Sequence, residues 1–350
     1  MKTFFHLEYR TTMILSVMIM GLLIGCAQES QTSEVFSPVK KNIDVLALDS
    51  IILKSDTLKH GIIKDFLVLP DSSLLFTDGK YIVKSNSMGQ YEFVVNYQGK
   101  GRGEYIQAGK LFATSNYIYV WCEMTCHLLK YDYNMKFVSA YDGPHFGIGN
   151  FLIQNDTSAV FYMKGNPDNI IITLSLNEGQ KLTEWKHSLS PKDRVLFLSS
   201  NACALGQFCD ELYYSFPSSM CLHNLRTDDV LQISDKDFIS IKLDDSKENS
   251  DDPREMLPYL YDNSLSSLIT QCGGISYYVT ETGSFVSSTN KRKINIFVFD
   301  EDKTVDAISF LLPNGVYMYK IYNNYMYLMS NNSNDEYVLT KLDIHNCINK

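Results

Sequence analysis

Three local groupings in this 350-residue chain have residue types that do chemistry. The first is Cys122-Glu123-Met124-Thr125-Cys126-His127, two thiols and an imidazole within six positions. A tight hairpin through residues 123–125 would set the thiols across from one another. The grouping therefore allows a disulfide, two free buried thiols, or part of a metal site. No second Cys/His pair at zinc-ligand spacing accompanies it. The second is Gly99-Lys100-Gly101-Arg102-Gly103-Glu104-Tyr105. Backbone N–H groups with Arg102 and Lys100 above them would suit an anion. The spacing matches neither a P-loop nor a dinucleotide fingerprint, because no Lys-Ser/Thr pair and no strand-to-helix context follow. Glycines beside a carboxylate also describe a tight connection in which Glu104 accepts backbone N–H groups. The third, Asp142-Gly143-Pro144-His145, is a turn by composition. Its Asp142 and His145, with Arg102, are the candidate binding residues. A Gly-x-Ser-x-Gly elbow and a His-Glu-x-x-His helix are both missing, and the histidines are scattered. No catalytic residue and no metal set is assigned.

The N-terminus carries a different kind of chemistry. Lys2 and Arg10 precede an apolar run over residues 13–24 that is about as long as a signal-peptide core. A spanning helix needs roughly 20 apolar residues. The run closes on Leu23-Ile24-Gly25-Cys26, which resembles the lipobox of bacterial lipoproteins, in which a small residue precedes the acylated cysteine. The resemblance implies a signal peptide over residues 1–25 and a lipid on Cys26, the one covalent group and otherwise no cofactor. Several acyl chains, at roughly 0.8 kcal/mol per buried CH₂, hold a protein on a membrane without a spanning helix. Residues 26–40 are polar and small and read as a flexible tether.

What must hold the remaining groupings is the segment 41–350. Net charge is −9 for the whole chain. The largest charge cluster, residues 244–255, is acidic, contains Pro253 and reads as a solvated loop. A nucleic-acid partner would need a basic face, and no run of more than three basic residues supplies one, so none is expected. The 23 tyrosines and 19 phenylalanines suit pleated, half-buried surfaces. Short β-favouring runs such as Leu74-Leu75-Phe76, Tyr117-Ile118-Tyr119-Val120-Trp121 and Ile294-Asn295-Ile296-Phe297-Val298-Phe299 are bounded by turn residues. The best helical window, residues 258–270, is short and interrupted, and supports a turn or two.

These runs recur as a unit. Ser73-Leu74-Leu75-Phe76 leading to Lys84 and Tyr91 parallels Tyr117-Ile118-Tyr119-Val120 leading to Lys130 and Phe137. Similar units start near Ala159, Leu212, Ile275 and Tyr325. Six units predict an all-β, six-bladed β-propeller with four-stranded antiparallel blades. A pair of sandwiches or an irregular β domain is the alternative. The segment Gly99 to Tyr105 resembles the Gly-x-Gly-Pro-Gly-Glu-aromatic signature of the TolB-like propeller lipoproteins of Bacteroidetes, with Arg102 where that family has Pro. The resemblance implies a propeller and an envelope location, and brings no agreed activity. The expectation is a binding or scaffolding propeller, lipid-anchored at the outer membrane on its periplasmic face, for a protein, peptide or glycan partner. The alternative is an enzyme of the lactonase or lyase kind with a metal in the central channel.

Overall fold

A computed structural model describes residues 35–43, 49–53, 62–145, 147–164, 170–177, 182–185, 190–196, 202–227, 229–242, 263–283, 292–300, 305–332 and 336–348. Three short strands come first: β1 (Val35–Phe36), β2 (Lys40–Asn42) and β3 (Asp49–Leu53). Six sheets follow in chain order. Blade 1 is β4 (Asp65–Val68), β5 (Leu74–Thr77), β6 (Ile82–Ser85) and β7 (Tyr91–Val95). Blade 2 is β8 (Ala108–Ala113), β9 (Ile118–Cys122), β10 (His127–Tyr131) and β11 (Phe137–Asp142). Blade 3 is β12 (Ile148–Gln154), β13 (Ser158–Met163), β14 (Ile171–Ser175) and β15 (Leu182–Trp185). Helix α1 (Pro191–Leu196) then leads to blade 4, made of β16 (Leu205–Phe208), β17 (Glu211–Ser215), β18 (Cys221–Asn224) and β19 (Val230–Ile233). Blade 5 is β20 (Ser264–Cys272), β21 (Ile275–Thr282), β22 (Lys293–Phe299) and β23 (Val305–Leu311). Blade 6 takes β24 (Val316–Tyr322), β25 (Tyr325–Asn331) and β26 (Tyr337–Asp343), and α2 (Ile344–Ile348) ends the described chain.

Every blade is an antiparallel meander, and the fourth strand of blade 6 comes from the other end of the chain. β3 pairs antiparallel with β26, Leu53 opposite Tyr337 and Ser50 opposite Thr340. The ring is therefore closed by its N-terminal strand. The two strands before it strap the outside of the ring. β1 adds in parallel to β19 and β2 in parallel to β23, giving blades 4 and 5 a fifth strand. Phe36 stands edge-on to Phe299 with centroids 5.8 Å apart, and Lys40 reaches Asp235 at 2.5 Å and Asp237 at 2.8 Å. The tether expected through residue 40 thus stops short: from Val35 onward the chain forms sheet edge. Two or three residues that pair through their backbones need no apolar signature, which is why composition placed them in a linker.

The six sequence units fall on the second strand of each blade. These strands are buried on both faces, as in Ile118–Cys122, where all five residues are buried. A strand sandwiched between two neighbouring sheets reads as a continuous apolar run rather than an alternation. The core is accordingly six separate clusters, one at each blade boundary. The helical turns expected at 258–270 do not form where the chain is described, since Ser264 to Thr270 belong to β20. Its buried serines are satisfied by non-local partners: Ser264 Oγ lies 2.7 Å from Thr282 Oγ1, and Ser267 Oγ donates to the Val279 carbonyl at 3.0 Å. Long-range pairing overrides local propensity here.

The blades meet most closely where β16 faces β20. A methyl group on Gly206 would sit 2.6 Å from the carbonyl carbon of Ile269, a backbone atom that cannot swing aside. Gly206→Ala should therefore destabilise the domain by about 3 kcal/mol or more. A denaturant midpoint within a few tenths of a molar of the parent's would refute this reading of the boundary.

Tyrosine hydroxyls tie the blades together. Tyr119 donates to Asp156 Oδ1 (3.0 Å), Tyr162 to the Ser215 carbonyl (2.9 Å), Tyr277 to Asn324 Oδ1 (2.6 Å) and Tyr105 to the carbonyls of Lys80 and Val95 (3.2 Å each). A ring fills the apolar boundary while its hydroxyl finds a partner on the next sheet, which accounts for the abundance of tyrosine.

Candidate functional site

The first strand of each blade lines the central channel. In four of them, β8, β12, β20 and β24, the ladder slips by one residue, at Gly109, Gly149, Ser267 and Tyr317. A bulge re-aims the side chains beside it. Three of the bulged residues, Gly149, Ser267 and Tyr317, and the residues just after all four bulges surround a cavity of about 140 Å³, together with Lys64, Asp65, Cys203 and Lys320. Close approach explains the two glycines: a side chain at Gly109 would collide with Glu123, and one at Gly149 with Cys203.

Asp65 is the carboxylate of this cavity, and its oxygens are taken. It accepts from the Phe66 N–H (3.0 Å), from the Leu111 N–H of blade 2 (2.8 Å) and from Lys320 Nζ of blade 6 (2.7 Å), joining three blades at one buried group. Burial pulls the Lys320 ammonium below the usual lysine range, and the like charge of Lys110 adds to the fall while Asp65 opposes it. At the rim Lys64 pairs with Glu123 at 3.2 Å. Asn150 holds its own strand through Oδ1, which accepts the Phe151 N–H at 3.0 Å, while Nδ2 lies 3.3 Å from the Leu205 carbonyl. Behind the cavity, Tyr319 OH lies 2.9 Å from Glu281 Oε2 and 2.7 Å from Ser267 Oγ, and Glu281 is paired with Arg292 at 2.5 Å. Further along the strands the channel widens into a mouth of about 430 Å³, walled by Leu67, Leu152, Ile269 and Ile321 and edged by Gln154 and Gln271.

The two ends of the channel differ in the chain that surrounds them. At the end where the first strands finish, hairpins are tight, such as the two residues between Phe208 and Glu211 and between Tyr322 and Tyr325. The connections between blades leave and return at the other end, among the described residues the segment 96–107 and helix α1.

The residues singled out from sequence sit on or beside this second, long-connection face. Arg102 lies in the connection from β7 to β8, its guanidinium 5.9 Å from the Phe137 ring. The glycines around it serve the turn. Gly103 has φ of 82° and packs against Phe137, and Gly99 and Gly101 leave room for Glu104, whose Oε2 accepts the Gly101 N–H at 2.7 Å. Tyr105 is fully buried beneath it. Asp142 ends the outer strand β11 with its side chain 83% exposed, 3.2 Å from His127 Nε2, and His145 is exposed in the next connection. Neither lines the channel cavity or its mouth, so the structure does not bring Arg102, Asp142 and His145 into one pocket. Cys122 and Cys126 flank the β9–β10 hairpin as free thiols, and Cys203, Cys221 and Cys272 are free thiols as well. Burial pushes the Cys126 thiol up, whereas hydrogen bonds from the backbone of Gln107 and from Thr125 outweigh desolvation at Cys122 and pull its thiol down. Cys26 and the acidic run over residues 244–255 lie outside the described residues.

Lys110, Asn150, Asp65 and Lys320 escaped the sequence reading. A signal for two of them was present: Gly109-Lys110 and Gly149-Asn150 stand at the same place before consecutive aromatic strands.

A metal in the channel, as a lactonase or lyase would carry, needs several free oxygen or nitrogen donors converging on one point. The cavity lining offers ammonium groups, one amide, hydroxyls, the Cys203 thiol and a carboxylate already bound to Lys320, and among the described residues no three His, Cys, Asp or Glu side chains come together. That set does not fit a divalent cation.

Six sheets arranged around a channel define a six-bladed β-propeller. The chain belongs to the family described as DUF5128, 6-bladed beta-propeller, whose model matches residues 65–286, from the first blade into the fifth. Among solved structures it is similar to a member of the duf4221 family from Bacteroides vulgatus (12% identity, 85% of this chain and 97% of that one, TM-score 0.63). It is also similar to a Bacteroides fragilis protein described as a candidate exported protein (14% identity, 88% and 99%, TM-score 0.60). At these identities the likeness is one of fold. No curated protein sequence matches the chain.

Proposed function

We propose that this propeller is an envelope lipoprotein, anchored by lipid on Cys26 to the outer membrane and facing the periplasm, that binds a protein, peptide or glycan partner. The observation that carries the binding reading is the asymmetry of the ring. The inter-blade connections, among the described residues 96–107 and helix α1, leave and return at one end of a channel lined by convergent polar groups. Variable loops on a rigid ring are where binding residues concentrate. The anchoring reading is supported by Leu23-Ile24-Gly25-Cys26 after an apolar run too short to span a bilayer. No helix among the described residues is long and apolar enough to cross a membrane.

Replacing Cys26 by Ser removes the acylated thiol without touching the propeller. The variant should leave the membrane fraction and appear, folded, in the soluble envelope fraction. Retention of most of the variant on membranes would defeat the anchoring reading. Affinity capture of the parent from solubilised membranes should recover a stoichiometric partner, and recovery of none would defeat the binding reading.

A further inference from the structure

The channel carries more positive charge than it neutralises. Asp65 is saturated by three donors, one of them Lys320. Lys110 projects into the same cavity close enough to disfavour the charge on Lys320. No carboxylate pairs with Lys110 among the described residues. In a narrow cavity walled by protein, two ammonium groups repel far more than they would in water, and an anion between them removes that cost. One further group is short of partners. Asn150 Nδ2 makes only long contacts, 3.3 and 3.5 Å, to the backbone carbonyls of Leu205 and Cys203. A polar group left in this state calls for an explanation, and a ligand is one.

Resting on the reading of this chain as a binding propeller, we infer that its channel holds an oxyanion, the carboxylate or phosphate end of a ligand, with Lys110 and Lys320 as its cationic donors and Asn150 Nδ2 as a neutral one. The cavity of about 140 Å³ has room for one such group. The rest of the ligand leaves the cavity past the Lys64–Glu123 pair at its rim, toward the long-connection face. Lysine suits this role because its ammonium acts as a point charge toward either kind of oxyanion. The bulges are what turn the inner strands of a packing ring into a lining of donors.

The test is calorimetric titration of the full-length protein in detergent with inorganic phosphate and, separately, with glucuronate. Saturable binding of at least one is expected. Binding of phosphate alone points to a phosphorylated ligand, and of glucuronate alone to a carboxylated sugar. Lys110→Met, which removes a charge that pairs with nothing described, should weaken binding at least tenfold, the effect of one lost charge-assisted hydrogen bond. Lys136→Met, on an exposed turn between β10 and β11, should leave it unchanged. Because Lys320→Met alone orphans Asp65, the paired change Asp65→Asn with Lys320→Met is the second variant, and it too should lose binding. A folded parent that binds neither anion, or a Lys110→Met protein that binds as the parent does, overturns the inference. Partner capture from membranes is read independently, so failure of the anion site and failure of the binding reading are separate results.

Discussion

A chain that starts at Ile62 should not fold. It lacks β3, so blade 6 would expose the edge of β26 and leave the boundary with blade 1 without Leu53, which is buried in the cluster shared by the two blades with Phe66, Phe76 and Leu339. It also lacks the straps that cover the outer edges of β19 and β23 and the Lys40 ion pairs to Asp235 and Asp237. Losing one buried leucine contact costs about 2–5 kcal/mol. Losing a whole strand with its ladder exceeds the ~5–15 kcal/mol by which domains are stable. The expected outcome is an aggregating product with no cooperative thermal transition, against a single transition for a chain starting at Val35. Leu53→Ala grades the same effect and should lower stability by about 2–5 kcal/mol. A truncated chain that melts cooperatively near the parent's temperature would show that the ring does not depend on its N-terminal clasp.

Alkali should open the ring abruptly. Burial pushes the phenols of Tyr105, Tyr119, Tyr131, Tyr162, Tyr277, Tyr278 and Tyr319 above their usual range. In the unfolded chain these phenols ionise near pH 10. The neutral form is the one the fold accommodates, so their contribution is fully present below about pH 10 and is lost as the pH rises beyond it. Each phenol that stays neutral in the fold removes about 1.4 kcal/mol per pH unit above that point. Seven together would exhaust an ordinary domain stability within about one to two units. Tyrosinate absorbance and circular dichroism, followed together from pH 9 upward (roughly one unit below the ordinary phenol value), should show most phenols ionising only as the β signal collapses. Smooth ionisation of all tyrosines with the β signal intact would mean that the inter-blade hydroxyls are open to solvent.

The two effects mark what the sequence displays and what it hides. Second strands such as Ile118–Cys122 were legible because burial on both faces leaves an uninterrupted apolar run. Their sixfold recurrence predicted the number of blades. Inner strands were harder to read. Ser264–Cys272 is built around serines whose partners lie on the neighbouring strand β21, and nothing local separates such a stretch from an interrupted helical turn. The closure by β3 joins positions nearly the whole chain apart, and no periodicity records it. Nor did the straps show, being held by backbone pairing, one aromatic edge and one lysine. For the site, the Gly-rich segment was legible as a turn, with Glu104 accepting a backbone N–H as its spacing suggested. Asp142 and His145 share a turn but not a cavity, because local sequence brings residues near one another without saying which way a strand end faces. The channel residues come one or two from each blade, and only the ring assembles them.

The central claim is that the long-connection face is the working face. Met124, in the hairpin between β9 and β10, is 63% exposed on that face, and Met88, in the hairpin between β6 and β7, is 68% exposed on the opposite one. A photo-reactive amino acid placed at each position in turn, with irradiation of intact cells, compares the faces at matched exposure. The account predicts a discrete cross-linked product from position 124 and none from position 88. A product from position 88 alone, or from neither, would contradict it.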